Sequence, residues 1–189
     1  MRAARRIMTA LLATLLVLVM LGLALRIYMG REAEDRLASG EAVGIAALRS
    51  PFPKPCYLAC PPDYCSVTEA AASPVFDLPW ERLYDYWTEV IAGEKRMVAV
   101  ATKADARQFV YIQHSPVFRF PDIITVEFVP LGPERSSIAI FSRSRYGKFD
   151  FRKNRKRVER WLFLLEKVAR PTAPPPRRVI VNPKGRAAV

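Results

Sequence analysis

The sequence has few of the residues that most catalytic and metal sites need. It contains one histidine, His114, and three cysteines among 189 residues. A tetrahedral zinc site needs four ligands, and a nucleophilic cysteine or serine needs a basic partner close to it. The serines are not part of a GxSxG nucleophile elbow. We therefore expect no metal, no cofactor and no catalytic residue, and we interpret His114 as structural.

One long stretch near the N-terminus lacks charge altogether. Residues 7–25 form 19 consecutive uncharged positions, eight of them leucine. As a helix, this run would be roughly 28 Å long, close to the ~30 Å hydrocarbon core of a bilayer. A cleaved signal peptide has a shorter apolar run. The segment is therefore interpreted as an uncleaved, single-pass membrane anchor that follows a basic N-terminus, residues 1–6.

Two proline-rich stretches frame the part of the chain that can form a domain. Residues 50–62 contain five prolines, and four more lie within residues 171–176. Because proline lacks an amide donor and restricts φ, neither stretch is expected in a helix or a central strand. We interpret residues 26–65 as a stalk and connector, residues 66–169 as one domain, and residues 170–189 as a disordered basic tail.

Hydrophobic periodicity predicts the fold of the domain. Apolar side chains at 80, 83, 84, 87 and 91 recur at helical spacing, and those at 158, 161, 162 and 165 predict a second amphipathic helix. Four β-rich segments lie between them, separated by short turns that favour antiparallel neighbours. These segments are Arg96–Thr102, Gln108–His114, Ile123–Val129 and Ser137–Arg143. The predicted fold class is α+β: an N-terminal transmembrane helix, then a small antiparallel β-sheet packed by two amphipathic helices.

The cysteines Cys56, Cys60 and Cys65 fall within ten residues, among prolines. A disulfide between Cys60 and Cys65 is the simplest interpretation, with Cys56 left as a thiol or as a link to another chain. Inert thiols, or a metal-binding or catalytic role, are the alternatives. A disulfide implies an oxidising compartment. We therefore expect the domain on the extracytoplasmic, periplasmic face of the inner (plasma) membrane of the cell envelope.

Basic residues are concentrated in the last quarter of the chain. The formal net charge is +12, and residues 143–160 carry nine basic against two acidic side chains. Beside a membrane anchor, anionic lipid head groups or an envelope protein are the expected partners, and no nucleic acid is expected. The lipid-contact candidates are Lys153, Lys156, Arg157, Arg177 and Arg178. The alternative is a solvated helix face opposite the apolar stripe.

A candidate polar cluster surrounds the junction between the last strand and the last helix. It consists of Arg119, Asp122, Arg143, Arg145, Gly147, Asp150, Asn154 and Arg155. One interpretation is an anion or ligand site. The other, which we favour, is a structural corner held by ion pairs and by Asp150 as the cap of the helix.

The segment SRSRYGKFDFRKNRKRVERWL, residues 142–162, resembles the signature of the bacterial and plastid family of domain of unknown function 1499. CPPDYCSVT and FRFPDIITVEF are similar to two further family motifs, so the resemblance covers roughly residues 55–168. Many members have glycine two residues after the aspartate, where this chain has Arg152. The resemblance implies an envelope or thylakoid protein with an N-terminal membrane or export segment. It implies no activity.

The expected function is therefore that of a membrane-anchored envelope module that binds lipid, a hydrophobic ligand or a protein partner without catalysis. A helix across a curved sheet can enclose an apolar cavity, as helix-grip lipid-binding domains do, although this is analogy of fold alone. An enzyme acting on an anionic substrate is one alternative, and a structural or assembly factor is another. The enzyme would need Arg143, Arg145, Asp150 and Asn154 open to a cleft.

Overall fold

The computed structural model describes residues 2–38, 44–52 and 55–169 of the chain. Its elements are α1 (Arg2–Ala38), β1 (Cys56–Cys60), β2 (Ala71–Ala72), β3 (Val75–Phe76), α2 (Trp80–Ala92), β4 (Met97–Lys103), β5 (Gln108–His114), β6 (Pro121–Gly132), β7 (Arg135–Ser144) and α3 (Lys153–Ala169). The fold class is α+β, as predicted, with an apolar N-terminal helix, one sheet and two further helices.

Helix α1 includes a segment, Arg2–Tyr28, that is long and apolar enough to cross a membrane. The side chains of residues 2–28 are exposed, as those of an apolar helix outside the domain core would be. The helix then continues to Ala38, about 15 Å further at 1.5 Å per residue. It contacts β4, β5 and β6. The first part of the predicted stalk is thus a continuation of the apolar helix.

Seven strands form one mixed sheet. Its order is β2-β1-β7-β6-β5-β4, and β3 pairs with a second part of β7. The four predicted strands are β4 to β7, which pair antiparallel in sequence order. Strands β6 and β7 extend beyond their predicted ends because pairing continues past a bulge near Pro130 to Gly132 and Arg135.

The expectation that residues 50–62 contain no central strand was wrong. Strand β1 lies between two neighbours, antiparallel to β7 and parallel to β2. Pro55 and Pro61 flank this strand without interrupting it, so the five proline-free residues between them keep all their amide donors. The body of the domain therefore begins before residue 66.

Aromatic side chains fill the space between the helices and one face of the sheet. Trp87 of α2 and Trp161 of α3 are wholly buried and meet edge to face, with ring centroids 5.4 Å apart. Tyr111 of β5 accepts a hydrogen bond from Trp87 Nε1 at 3.2 Å, and burial raises the pKa of its phenol to about 12 despite that bond. These aromatic side chains pack against one another and fill the space between helix and sheet, where an apolar cavity for a ligand was considered.

The other face of the sheet is covered in part by the segment that precedes β1. Ile45 is wholly buried, and its amide donates to Glu127 Oε1 at 2.9 Å. Glu127 also accepts from Tyr64 Oη at 2.8 Å and from Gln108 Nε2 at 2.5 Å. Burial and this bond to the carboxylate raise the pKa of Tyr64. The buried carboxylate thereby fastens the chain between α1 and β1 to the middle of β6.

The disulfide predicted between Cys60 and Cys65 is confirmed. It joins the end of β1 to the turn that carries Tyr64, and the Cα atoms of its two residues are 6.1 Å apart. Cys56 is half-buried at the start of β1, opposite Arg143 of β7. The bridge therefore supports the same region that Glu127 holds.

Asp150 caps helix α3, as its position predicts. Its Oδ1 accepts the amide of Arg152 at 2.9 Å, and its Oδ2 accepts the amide of Asn154 at 3.0 Å. Burial opposes ionisation of Asp150, but these hydrogen bonds outweigh it and lower its pKa. The turn requires left-handed backbone at Phe151 and Arg152, with φ of 52° and 61°. Arg152 thus has a conformation that favours glycine.

Replacing Arg152 with glycine is expected to raise the free energy of unfolding by about 0.5–1 kcal/mol, because glycine adopts this φ without a Cβ clash. Arg152→Ala is the matched control, since it removes the same charge but keeps the Cβ. Urea unfolding of the full chain in detergent micelles, followed by circular dichroism, measures both. An equal gain in the two variants would assign the effect to charge instead of backbone strain.

Candidate functional site

The candidate site lies at the end of the sheet where β5 and β7 finish and β6 begins. Two loops leave the sheet there: loop A, residues 115–120, and loop B, residues 145–152. The pairing register places Gln113 opposite Asp122 and Asp122 opposite Ser144. Three polar side chains from three strands therefore form a row beneath the loops.

Arg157 of α3 joins this row to the helix. Its Nη2 donates to Asp122 Oδ2 at 2.5 Å, and its Nε donates to Gln113 Oε1 at 2.7 Å. Its Nη1 donates to Ser142 Oγ and Asn154 Oδ1, each at 2.8 Å. These bonds use four of the five guanidinium N–H groups. Because Arg157 is only 7% exposed, Asp122 compensates a charge that has little access to water.

The network continues from the ion pair to the helix cap. Ser144 Oγ donates to Asp122 Oδ1 at 2.7 Å. Asn154 is wholly buried, and its Nδ2 donates to Ser144 Oγ at 3.1 Å and to Asp150 Oδ2 at 2.7 Å. The side chains of this network provide one another's hydrogen-bond partners inside the protein, which is the arrangement expected of a structural corner.

Three of the eight predicted cluster residues meet in this network: Asp122, Asp150 and Asn154. Of the other five, Arg119 lies in loop A, and Arg143 is the penultimate residue of β7, opposite Cys56. Arg145 and Gly147 lie in loop B, and Arg155 is exposed and pairs with Glu159 at 2.8 Å. Asn154, which connects this network to the helix cap, is thus an interior residue and not an open surface group.

The assignment of Arg157 to a lipid-facing surface was wrong. Its position, three residues after Asn154 and four before Trp161, puts it on the side of α3 that faces the sheet. The sequence pattern does not show its partner, because Asp122 is 35 residues away along the chain. Lys153 and Lys156 are exposed, whereas Arg177 and Arg178 lie outside the described residues.

A basic cleft of about 330 Å³ opens beside this network, between the start of loop A and helix α3. Its lining includes the buried residues His114 and Arg157 and the half-buried Gln113. Its other basic lining residues are Arg96, Lys153, Lys156 and Arg160. Arg160 pairs with Glu94 at 2.6 Å, as Arg157 pairs with Asp122. Within the described ranges, Arg96, Lys153 and Lys156 have no carboxylate partner.

Loops A and B also expose large hydrophobic side chains. Phe149 and Phe151 are each 84% exposed. Phe118 stacks on Phe120 with ring centroids 5.6 Å apart, and the ring centroids of Phe120 and of Tyr146 in loop B are 6.4 Å apart. We call the five exposed side chains, together with the half-buried Tyr146, the loop patch: Val117, Phe118, Phe120, Tyr146, Phe149 and Phe151. Around them lie Arg119, Lys148, Arg152 and Lys153, and the one acid in the two loops, Asp150, is the helix cap.

The loop patch was missed by sequence reasoning. Phe149 and Phe151 lie outside every periodic apolar pattern in the sequence, so no helix, strand or core position was predicted for them. The signal that could have found them is the alternation of phenylalanine with charged residues directly after Gly147, in the segment KFDFRK.

Replacing Arg157 with methionine is expected to lower the free energy of unfolding by about 3–5 kcal/mol, because Asp122 would stay buried without its counter-charge. Arg155→Met is the matched control on the same helix, where the guanidinium pairs with Glu159 at the surface. It should leave the unfolding midpoint unchanged within error. Urea unfolding measures both, and adding Asp122→Asn to Arg157→Met should recover part of the loss. Equal losses in the two single variants would contradict the role of the network.

Comparison with known proteins places the chain in a family. Among curated proteins, none matches it. A family model described as "Protein of unknown function (DUF1499)" matches residues 61–165, which is more than half of the chain. The matched region includes the Arg157 network, the basic cleft and both loops. The chain belongs to the DUF1499 family.

Proposed function

We propose that this chain is a single-pass membrane protein whose α+β domain docks, without catalysis, onto an anionic lipid surface through loops A and B. The observation that carries the proposal is the pair Phe149 and Phe151, each 84% exposed, beside Lys148, Arg152 and Lys153. Exposed apolar groups with a polar rim mark interaction sites. Aromatic groups next to basic ones match the interface of an anionic bilayer.

The magnitudes favour docking when the domain is tethered. Full burial of one phenylalanine side chain contributes about 1.5–3 kcal/mol, and each basic group near an anionic surface contributes about 1 kcal/mol. A short tether gives an effective concentration on the order of millimolar, so docking needs only about 4 kcal/mol. Phe149, Phe151 and the three basic residues beside them are sufficient for this.

The position of helix α1 supports the proposal independently. The apolar segment ends at Tyr28, the same helix continues to Ala38, and this helix contacts β4, β5 and β6. Ile45 is then fastened to β6 through Glu127. A domain connected in this way stays close to the bilayer that its N-terminal helix would span.

The geometry of the interior supports recognition more than catalysis. The enzyme alternative depended on four residues being open to a cleft: Arg143, Arg145, Asp150 and Asn154. Of these, Asn154 is wholly buried, and both Asp150 and Asn154 are engaged in the cap of α3. An interior site for a hydrophobic ligand would need the space that Trp87, Trp161 and Phe128 occupy. Of the three possible sites, the exposed loops A and B are therefore the best supported as the surface that contacts a partner.

Docking is tested by placing tryptophan in the loop patch of the full chain, reconstituted in anionic bilayers that contain brominated phospholipids. Phe149→Trp and Phe151→Trp are expected to add fluorescence that the brominated acyl chains quench, above the background of the three native tryptophans. Phe163→Trp is the control, because this phenylalanine is also exposed but lies about 15 Å along α3 from Lys153. Equal or absent quenching at all three positions would refute bilayer docking and assign the loop patch to a protein partner.

We further propose that the domain lies on the extracytoplasmic side of the inner (plasma) membrane. The Cys60–Cys65 disulfide supports this, because such bonds persist in oxidising compartments. A Cys56→Ser chain retains only the two bridged cysteines. In intact cells, a membrane-impermeant thiol reagent should label this variant only after reduction. Labelling that requires lysis but no reduction would place the domain in the cytoplasm.

A further inference from the structure

We propose that the basic cleft binds a phosphate group, either as free phosphate or as part of a phospholipid head group. The cleft is lined by residues of β5, β6 and α3, by Arg96 just before β4, and by the first residues of loop A. This inference goes beyond docking of the loops, because it assigns one defined site and a ligand chemistry. It stands whether or not the loop patch enters a bilayer.

The charge balance of the cleft selects an anion. Five basic side chains line it, and Glu94 and Asp122 neutralise two of them, Arg160 and Arg157. The remaining three, Arg96, Lys153 and Lys156, have no carboxylate partner in the part of the chain that the structure describes. Because Asp122 is bonded to both Arg157 and Ser144, its negative charge offers little opposition to an incoming anion.

The donors of the cleft suit phosphate in kind. Lysine ammonium groups bind phosphate as point charges, and an arginine guanidinium can present a fork of two N–H groups. Arg96 Nε donates to the carbonyl of His114 at 3.1 Å, which orients its guanidinium in the cleft wall. No described acceptor engages the terminal nitrogens of Arg96, so they remain for a ligand. A cleft of about 330 Å³ is also within the usual size of ligand sites.

The amides at the start of α3 do not provide the site. Asp150 already accepts the amides of Arg152 and Asn154. An anion in the cleft would therefore be held by side chains, above all by Lys153 and Lys156, which lie one turn apart on α3. This dependence makes the proposal testable by neutral substitutions at exposed positions.

The test is calorimetric titration of inorganic phosphate, at constant ionic strength, into the full chain in neutral phosphatidylcholine nanodiscs. We expect saturable binding that the double variant Lys153→Gln/Lys156→Gln weakens about tenfold or more. The control Lys103→Gln/Lys167→Gln removes the same net charge at the far end of β4 and in the last turn of α3. It should change the affinity less than about twofold, because screened charges at that distance contribute little.

A second arm identifies the source of the phosphate group. The same three proteins are placed in nanodiscs that contain phosphatidylglycerol, and the thermal unfolding midpoint is measured. Phosphatidylglycerol could raise the midpoint of the unsubstituted chain and of the control but not of Lys153→Gln/Lys156→Gln. If the unsubstituted chain also failed to bind inorganic phosphate, this result would assign the site to a lipid head group. No effect of either ligand, or equal losses in both double variants, would overturn the proposal. Loss of bromolipid quenching at Phe149 with intact phosphate binding would refute loop docking alone.

Discussion

The buried ion pair between Arg157 and Asp122 is the interaction on which this end of the domain depends. Asp122 is the second residue of β6, and Arg157 is one turn into α3, so the pair joins the sheet to the helix. Around it, Asn154 connects the guanidinium to the cap at Asp150. Loop B contains this cap, and loop A leads into β6 just before Asp122, so both loops adjoin groups that the ion pair holds. A buried charge pair of this kind is costly to break, because either partner alone is left desolvated.

Strand β6 carries a second buried carboxylate, Glu127, which faces the other way. Residues 122 and 127 are separated by an odd number of positions, so their side chains point to opposite faces of the sheet. Asp122 receives helix α3 on one face, and Glu127 receives Ile45, Tyr64 and Gln108 on the other. One strand thus fastens both the last helix and the segment that follows the apolar helix. This arrangement supports the proposal that the loop end and the N-terminal helix act on the same bilayer.

The polar side chains at this end of the domain form two groups: buried ones that are hydrogen-bonded to one another, and exposed ones that remain accessible to a ligand. The interior groups, such as Ser142 and Asn154, have their partners within the protein and contribute to stability. At the surface, loops A and B expose apolar rings. The basic cleft presents the cations Arg96, Lys153 and Lys156, which have no carboxylate partner among the described residues. Binding by surface groups on a rigid support loses less conformational entropy than ordering a flexible loop. The division therefore supports a role in recognition more than one in bond-breaking chemistry.

The sequence by itself determined the features that depend on neighbouring residues. Uncharged length predicts the N-terminal helix, alternation predicts strands β4 to β7, helical spacing predicts α2 and α3, and short cysteine spacing predicts the Cys60–Cys65 bridge. Tertiary structure alone decided which polar groups meet. The burial of Arg157, the place of β1 beside β7, and the capture of Ile45 by Glu127 all join residues far apart in the chain. Local patterns do not encode such contacts, because the free energy of a buried polar group is set by partners that only the folded sheet brings within hydrogen-bonding distance.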